Sequence, residues 1–199
     1  GAVLAGWRGA PDWAALGLGA AGWLVALLLR GPVAAVAARL PEERAAVLLA
    51  AASGPCEEIV RVLLVVFLVS GFPGALWAGF GWAAIEIGYT IVNALVIRSL
   101  LGRDDAQARE VRRVLQAQGM LRADGVIWSV VERIAATLLH IGFTLLVAWR
   151  PWLVVATVPV HSAANLLAAR LAPRSLPLTE AFLVIAGAAV GALGLIPWL

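Results

Sequence analysis

Several ionisable or strongly polar side chains of this sequence stand inside segments that are otherwise apolar. Glu57, Glu58 and Arg61 interrupt one such segment, and His161 and Asn165 interrupt another. The other candidates of this kind are Glu86, Glu132, Arg133 and His140. Carboxylates and imidazoles are the groups that proteins use for general acid–base catalysis and for holding metal ions. We therefore treat these nine residues as a candidate site.

The surrounding segments are long enough to cross a lipid bilayer. Of the 199 residues, 62% are hydrophobic and 14% are charged, and the mean hydropathy is +0.94. Globular domains are about 45–50% apolar, and about 20 apolar residues span a hydrocarbon core. The sequence therefore predicts a polytopic membrane protein. It excludes a disordered chain, a disulfide-stapled secreted domain and a nucleic-acid-binding domain.

The predicted fold is an all-α bundle of about six transmembrane helices, with residues 1–199 forming a single integral-membrane domain. In the loop near 103–119 we expect a short amphipathic helix on the inner membrane surface. Asp104 or Asp105 is expected to cap its start, and Gly119 to end it. The opening segment, GAVLAGWRGAP, shows no signal-peptide pattern and fits the stub of a longer N-terminal segment. The predicted spans lie near 12–29, 45–70, 74–97, 126–149, 152–171 and 179–197.

The arginines predict the orientation in the membrane. All fifteen basic residues are arginines, and eleven of them, including Arg30, lie in the first, third and fifth loops. Arg8 and Arg150 lie on the opposite side. Because cytoplasmic loops are rich in basic residues, we expect these three loops to be cytoplasmic and both chain ends to be external. The expected location is a bacterial or archaeal plasma membrane.

Tryptophans tend to mark the membrane boundaries. Trp23 and Trp82 fit no such belt and are predicted to pack between helices. The residues predicted at the outer boundary are Trp13, Trp77, Trp149, Trp152 and Trp198, with Trp128 at the inner boundary.

The helical rise places the ionisable residues at similar depths. At about 1.5 Å per residue, Glu58, Glu86, His140 and His161 lie roughly 15–21 Å from the inner ends of their spans. Glu132 and Asn165 lie about 9 Å in. A charge at the bilayer centre costs roughly 2.5–3.5 kcal/mol even on the lenient insertion scale. These groups must therefore face one another or a water-filled cavity.

Ser53, Gly54 and Pro55 stand just before the paired acids. Because proline cannot donate to the helical hydrogen-bond ladder, we expect a break in the second span. Glu57 and Glu58 would then open a half-helix at mid-membrane, with free backbone N–H groups pointing into the site.

The charges leave two chemical alternatives open. Glu57, Glu58, Glu86 and Glu132 oppose Arg61 and Arg133, an excess of two negative charges if all are ionised. Either a carboxyl stays protonated, as a general acid would, or a divalent cation binds among the carboxylates. Glu57 or Glu58 with His140 and His161 could hold Zn²⁺ or another divalent metal and leave one position for water.

The same polar residues could also have purely structural roles. Glu57 and Glu58 could form ion pairs with Arg61, and Glu86 could pair with Arg133. His161 and Asn165 could make interhelical hydrogen bonds. Cys56 adjoins the acids, but no histidine spacing supports a nucleophilic role for it.

Four segments carry a resemblance to a known family. They are EEIVR at 57–61, GFGWAAIE at 79–86, ERIAATLLH at 132–140 and HSAAN at 161–165. In this order, over roughly 45–171, they resemble the YhfC family of intramembrane peptidases, within the CAAX-protease and bacteriocin-processing (Abi) superfamily.

The resemblance implies a mechanism. In it, Glu57 or Glu58 activates a water molecule with the help of a histidine, for which His140 is available. His161 and Asn165 polarise the scissile carbonyl and stabilise its oxyanion. YhfC members are labelled metalloproteases, which implies Zn²⁺ or a similar metal, whereas the CAAX-type glutamate mechanism needs no cofactor. Trp82 departs from the family pattern, which has histidine there, and Asn165 stands where many members have aspartate.

The expected function is that of an intramembrane endopeptidase acting on a membrane protein or peptide near the cytoplasmic half of the bilayer. A second hypothesis is a non-catalytic scaffold subunit of a larger membrane complex, which Trp82 favours. A third is a transporter or a proton path, which would also use mid-membrane acids. The bilayer is the expected environment in each case, and nucleic acid is not an expected partner.

Overall fold

The computed structural model of the chain describes residues 10–117 and 125–199, and these residues form helices and short turns. Six of the described helices are long and each overlaps one of the six predicted spans, which confirms the all-α bundle. Predictions that concern Arg8, Gly119 and Arg122 lie outside the described residues. The helices are α1 (Trp13–Ala37), α2 (Glu42–Phe67), α3 (Gly71–Leu101), α4 (Ala106–Ala117), α5 (Gly125–Trp149), α6 (Val154–Leu171) and α7 (Leu176–Leu195), with 3₁₀ turns at Pro151–Leu153 and Ile196–Trp198.

Five of the long helices, α1, α3, α5, α6 and α7, are long and apolar enough to cross a membrane. Helix α2 is just as long, at 26 residues, but carries Glu57, Glu58 and Arg61 in its interior. All three of these side chains are buried. These three charges of α2 are therefore turned towards the other helices.

The long helices pack as a closed ring. Helix α1 contacts α2 and α3, α3 also contacts α5, and α5 contacts α7. On the other side α2 contacts α6, and a smaller contact between α6 and α7 closes the ring. Helix α2 also reaches α5 across the middle. This arrangement lets polar side chains from several helices meet inside the bundle.

Helix α2 is continuous through Pro55, so the predicted break is wrong. Proline removes the hydrogen bond that would normally reach the carbonyl four residues earlier, which here belongs to Ala51. The Ser162 hydroxyl of α6 donates to this carbonyl oxygen at 2.7 Å. A neighbouring helix thus satisfies the freed acceptor, and Glu57 and Glu58 lie within the helix rather than at the start of one.

Two glycines allow close approach between helices that carry site residues. A Cβ atom at Gly54 would lie 2.6 Å from the Val158 carbonyl oxygen of α6. A Cβ atom at Gly79 would lie 2.8 Å from the Ile141 Cα of α5. Small residues at such contacts let membrane helices pack backbone to backbone. Here they bring α6 against α2 and α5 against α3.

Helix α4 matches the predicted amphipathic helix, and Asp105 is its cap. The Asp105 Oδ1 atom accepts a hydrogen bond from the Ala108 backbone N–H at 2.9 Å. This hydrogen bond holds the pKa of Asp105 below its usual value. Leu115 is buried, whereas Arg113 is exposed and pairs with Glu110. One face of α4 is therefore covered and the other is polar.

The burial of the tryptophans confirms the prediction for Trp23 and Trp82 and differs from it at Trp77. Trp23 and Trp82 are buried between helices, as predicted. Trp13 and Trp152 are exposed, as expected for a boundary. Trp77, predicted at the outer boundary, is instead buried in a cluster with Trp23 and Trp82, because the contact between α1 and α3 covers it.

Gly79→Val should destabilise the bundle, because the added side chain would push α3 away from α5. Overpacking of this kind costs about 1–3 kcal/mol. The measurement is the thermal unfolding midpoint of the purified protein in detergent. Gly88→Val in the same helix is the matched control, since nothing lies within 4 Å of a Cβ atom there. Equal midpoints for the two variants would contradict the packing described here.

Candidate active site

Arg61 is fully buried and all of its nitrogens have partners. Its Nε donates to Glu58 Oε1 at 3.0 Å, and its Nη1 donates to Thr144 Oγ1 at 2.7 Å. Its Nη2 lies 3.1 Å from His140 Nδ1. The guanidinium also stacks on the Trp82 ring, 4.2 Å from the centroid. Arg61 thus ties α2 to α3 and α5.

Glu58 is enclosed in the same way. Its Oε1 accepts from Arg61 and lies 2.9 Å from His161 Nδ1, and its Oε2 accepts from Thr157 Oγ1 at 2.9 Å. An ionised carboxylate only accepts hydrogen bonds, so the Nδ1 of His161 carries a proton. The Nε2 of a neutral His161 is then unprotonated, and it lies 3.7 Å from Glu57 Oε1.

His140 has the opposite tautomer, because a guanidinium can only donate. Its Nδ1 accepts from Arg61, so its Nε2 carries the proton and donates to Glu86 Oε2 at 2.8 Å. Its distance to Glu57, from Nδ1 to Oε2, is 3.8 Å. Both ring nitrogens are thus engaged by Arg61 and Glu86, and neither makes a hydrogen bond to Glu57 or Glu58, one of which His140 was expected to assist.

Glu86 joins three helices. Besides His140, its carboxylate accepts from Trp23 Nε1 of α1 at 3.2 Å and from Arg133 Nη1 at 3.1 Å. The proposed pairing of Glu86 with Arg133 is thereby confirmed. Arg133 also pairs with its neighbour Glu132.

Glu57 is held by two residues that the sequence did not assign to the site. Arg30 forms an ion pair with its Oε1, and Trp82 Nε1 donates to its Oε2 at 3.0 Å. Arg30 was interpreted as a loop residue because the first span was expected to end at residue 29, whereas α1 continues to Ala37. The sequence did contain a signal that Arg30 belongs to the first helix. Trp23, Ala26 and Arg30 follow an i, i+3, i+7 spacing and share one helical face.

A cavity of about 320 Å³ lies against this network, and all six long helices contribute to its wall. Glu58 and Arg61 do not line it. Through Thr90, Ala168 and Leu183 its wall extends towards the end of the bundle that carries the arginine-rich loops. The predicted site residues that line it are Glu57, Glu86, Glu132, Arg133, His140, His161 and Asn165. Sequence reasoning therefore found every glutamate and histidine of the wall and one of its two arginines, but missed Arg30.

Asn165 shares the cavity wall with His161, as its spacing predicted. Its Nδ2 donates to Ser53 Oγ at 2.5 Å. An amide nitrogen carries two hydrogens, so one N–H remains for a group in the cavity.

Glu180 of α7 is a further buried carboxylate that the sequence pattern did not single out. Its side chain is buried, and its Oε2 has no hydrogen-bond partner among the described residues. With Glu180 and Arg30 included, five carboxylates oppose three arginines. If all of them are ionised, the excess is again two negative charges, although the set of residues is larger than the predicted one.

The residues that could share a metal ion differ from the expected set. One ligand atom each of Glu57, Glu86 and His140 lies within 4.8 Å of the others. Glu58 is not in this group. Glu57, Glu86 and His140 contact Arg30, Arg133 and Arg61 respectively. A divalent cation there would lie beside three guanidinium groups, so the residues do not fit a resident metal in this arrangement.

No family model matches the chain, and no curated protein and no solved structure shows significant similarity to it. The resemblance to the YhfC family therefore stays a prediction.

Arg61→Met should lower the free energy of unfolding by about 3–5 kcal/mol, because it leaves Glu58 buried without its cation. The measurement is chemical unfolding of the purified protein in detergent. Arg113→Met is the control, since this exposed arginine forms its ion pair with the exposed Glu110, and its effect should stay within about 0.5 kcal/mol. Adding Glu58→Gln to Arg61→Met should restore part of the loss. A stable single variant, or no recovery in the double variant, would contradict the assigned pairing.

Proposed function

We propose that the protein is an intramembrane endopeptidase that hydrolyses a peptide bond with a water molecule activated between Glu57 and His161. The observation that carries this proposal is the 3.7 Å distance between Glu57 Oε1 and His161 Nε2 at the wall of the cavity. A carboxylate oxygen and an unprotonated imidazole nitrogen are both acceptors. A water molecule that bridges them would have both of its protons held and a lone pair free for attack.

In the proposed reaction Glu57 is the general base. It takes a proton from the water, and the water oxygen forms a bond to the scissile carbonyl carbon as the carbonyl π electrons move to oxygen. The free N–H of Asn165 donates to this oxyanion. When the carbon–nitrogen bond breaks, Glu57 returns the proton to the leaving nitrogen. The enzyme forms no covalent intermediate in this sequence.

Glu58 has a different role from Glu57 in this proposal. Its contact with His161 Nδ1 fixes the tautomer and the direction of the imidazole, as a carboxylate does in a catalytic triad. Glu58 cannot contact the water itself, because Arg61, His161 and Thr157 surround its oxygens. Of the two candidates for the base, this favours Glu57.

Trp82 need not abolish this chemistry. Its Nε1–H donates to Glu57 Oε2, and a histidine at this position could make the same kind of hydrogen bond. Trp82 would therefore orient Glu57 through a hydrogen bond that a histidine could also make. Trp82 does not contact Oε1, the oxygen that lies 3.7 Å from His161 Nε2.

The orientation forms part of the proposal. The arginine-rich loops would lie in the cytoplasm and both chain ends outside. The cavity wall extends towards that end of the bundle, so a substrate would be cleaved from the cytoplasmic half of the bilayer.

A non-catalytic scaffold is the second candidate. The observation that favours it is that Arg30 and Trp82 already occupy both oxygens of Glu57. In a scaffold these contacts would only hold the helices together, and no variant of Glu57 would alter the cleavage of any peptide.

Glu57→Gln should lower the rate of hydrolysis at least about 100-fold, since general-base catalysis contributes about 10²–10⁴. The assay uses the full chain in proteoliposomes with a pool of single-span membrane peptides, in water enriched in oxygen-18. Mass spectrometry then detects labelled carboxyl groups at newly formed peptide ends. The control Glu110→Gln changes an exposed carboxylate of α4 and should keep the wild-type rate. Absence of wild-type cleavage, or equal cleavage by Glu57→Gln, would overturn the proposal.

The orientation predicts which side of the membrane each loop can be labelled from. In a Cys56→Ser background, Trp152→Cys should react with a membrane-impermeant maleimide added outside intact cells, and Asp104→Cys should react only after lysis. Both positions are in exposed parts of the described chain. The reverse pattern would contradict the orientation.

A further inference from the structure

Arg30 reaches the site from α1, which carries none of the four sequence motifs. Its guanidinium lines the cavity and forms an ion pair with Glu57 Oε1. Side chains of helical residues lean towards the N-terminus of their helix. Because Arg30 lies in the second half of α1, this lean directs its guanidinium towards the middle of the helix and the site residues beside it.

The contact blocks the oxygen that the proposed reaction needs. Glu57 Oε1 is the oxygen 3.7 Å from His161 Nε2, and an oxygen paired with a guanidinium is a poor acceptor for a proton from water. Either Arg30 must leave Oε1 or Trp82 must leave Oε2 before a Glu57 oxygen can accept a proton from water. The Trp82 ring is 0% exposed, whereas the Arg30 side chain is 26% exposed and long. Arg30 is the group that can move.

The unused donor of Arg30 indicates what could move it. Its Nε is buried and has no hydrogen-bond partner among the described residues, whereas its Nη2 meets Glu57. Guanidinium groups bind carboxylates most strongly through two parallel N–H donors. Glu57 receives only one of the two N–H groups on this edge, so a second carboxylate that enters the cavity could accept from both.

We propose that Arg30 binds a carboxylate of the peptide substrate and that this binding releases Glu57 for catalysis. This inference rests on the proposed peptidase function and adds a substrate class to it. The carboxylate comes from the C-terminus of the peptide or from an acidic side chain near the scissile bond. In the absence of substrate, the ion pair with Arg30 keeps the base blocked.

The charges are compatible with this exchange. When Arg30 moves to the substrate, Glu57 keeps the Trp82 hydrogen bond and the Arg61 Nη2, which lies 3.8 Å from its Oε2. The incoming carboxylate adds one negative charge, which Arg30 pairs with after it leaves Glu57. The base therefore loses its blocking contact without losing every cation near it.

A binding experiment tests the inference without any cleavage. The probes are three matched peptides: acetyl-Leu-Leu-Leu with a free C-terminus, its C-terminal amide, and the amide of acetyl-Leu-Asp-Leu. Their affinities are measured by calorimetry on wild-type protein and on Glu57→Gln protein in nanodiscs, each with and without Arg30→Gln, because only the wild-type protein has the Glu57 carboxylate that the peptide must displace from Arg30. At least one carboxylate peptide should bind about tenfold more tightly than the neutral amide, a gain of about 1.4 kcal/mol. Arg30→Gln should remove this preference.

The arms of the experiment separate the two carboxylate sources and guard against misfolding. Tighter binding of the free C-terminus alone identifies the terminal carboxylate, and tighter binding of the aspartyl amide alone identifies a side chain. Arg30→Lys keeps the charge but loses the planar pair of donors, so it should restore only part of the preference. Its unfolding midpoint, compared with that of Arg30→Gln, shows whether the fold is intact.

Equal affinity for the three peptides, or a carboxylate preference that survives in folded Arg30→Gln protein, overturns the inference. These outcomes do not depend on cleavage. If wild-type protein cleaves membrane peptides but shows no carboxylate preference, the inference about Arg30 fails and the peptidase proposal stands. If the preference is present but no peptide is cleaved by any form, the peptidase proposal fails and Arg30 remains a carboxylate receptor.

Discussion

The ion pair between Glu58 and Arg61 is the interaction on which the rest of the bundle depends. Both groups lie in the interior of α2 and are fully buried. A buried pair is tolerated only if the remaining donors and acceptors are also satisfied. One helix cannot provide those partners, so α3 contributes Trp82, α5 contributes Thr144 and His140, and α6 contributes Thr157 and His161. The need to satisfy one pair thus draws four helices together and accounts for the charged residues of α2 in a membrane.

The same pair gives the two histidines different properties. Arg61 donates to His140, which then spends its only N–H on Glu86. Glu58 receives the N–H of His161, so that the opposite ring nitrogen of a neutral His161 is free to accept a hydrogen bond near Glu57. Adjacent residues of a helix point in different directions, about 100° apart for 3.6 residues per turn. Glu57 can therefore face the cavity while Glu58 faces α6, and two neighbouring glutamates can take different roles.

Much of this arrangement follows from the sequence, because the length of each apolar segment fixes the depth of the residues within it. The shared layer of Glu58, Glu86, His140 and His161 was predicted in this way. Which atoms meet depends on helix rotation and on spacing between helices, and a single segment does not contain that information. The continuity of α2 at Pro55 depends on Ser162 of another helix. Arg30 and Glu180 were missed because each lies near a span end, where the boundary between loop and helix is least certain.

Hydrolysis at this site requires water to reach Glu57 and His161 through the cavity. The reactivity of a cysteine placed at Ala136 measures whether water enters the cavity. Ala136 lines the cavity, whereas Ile185 of α7 lies on the outer, exposed surface of the bundle at a similar depth. Each is replaced by cysteine in a Cys56→Ser background and treated with a small anionic thiol reagent. If the cavity holds water, the reagent should modify Ala136→Cys when it is added from the arginine-rich side, and it should not modify Ile185→Cys. A folded Ala136→Cys protein that fails to react would contradict a water-accessible site.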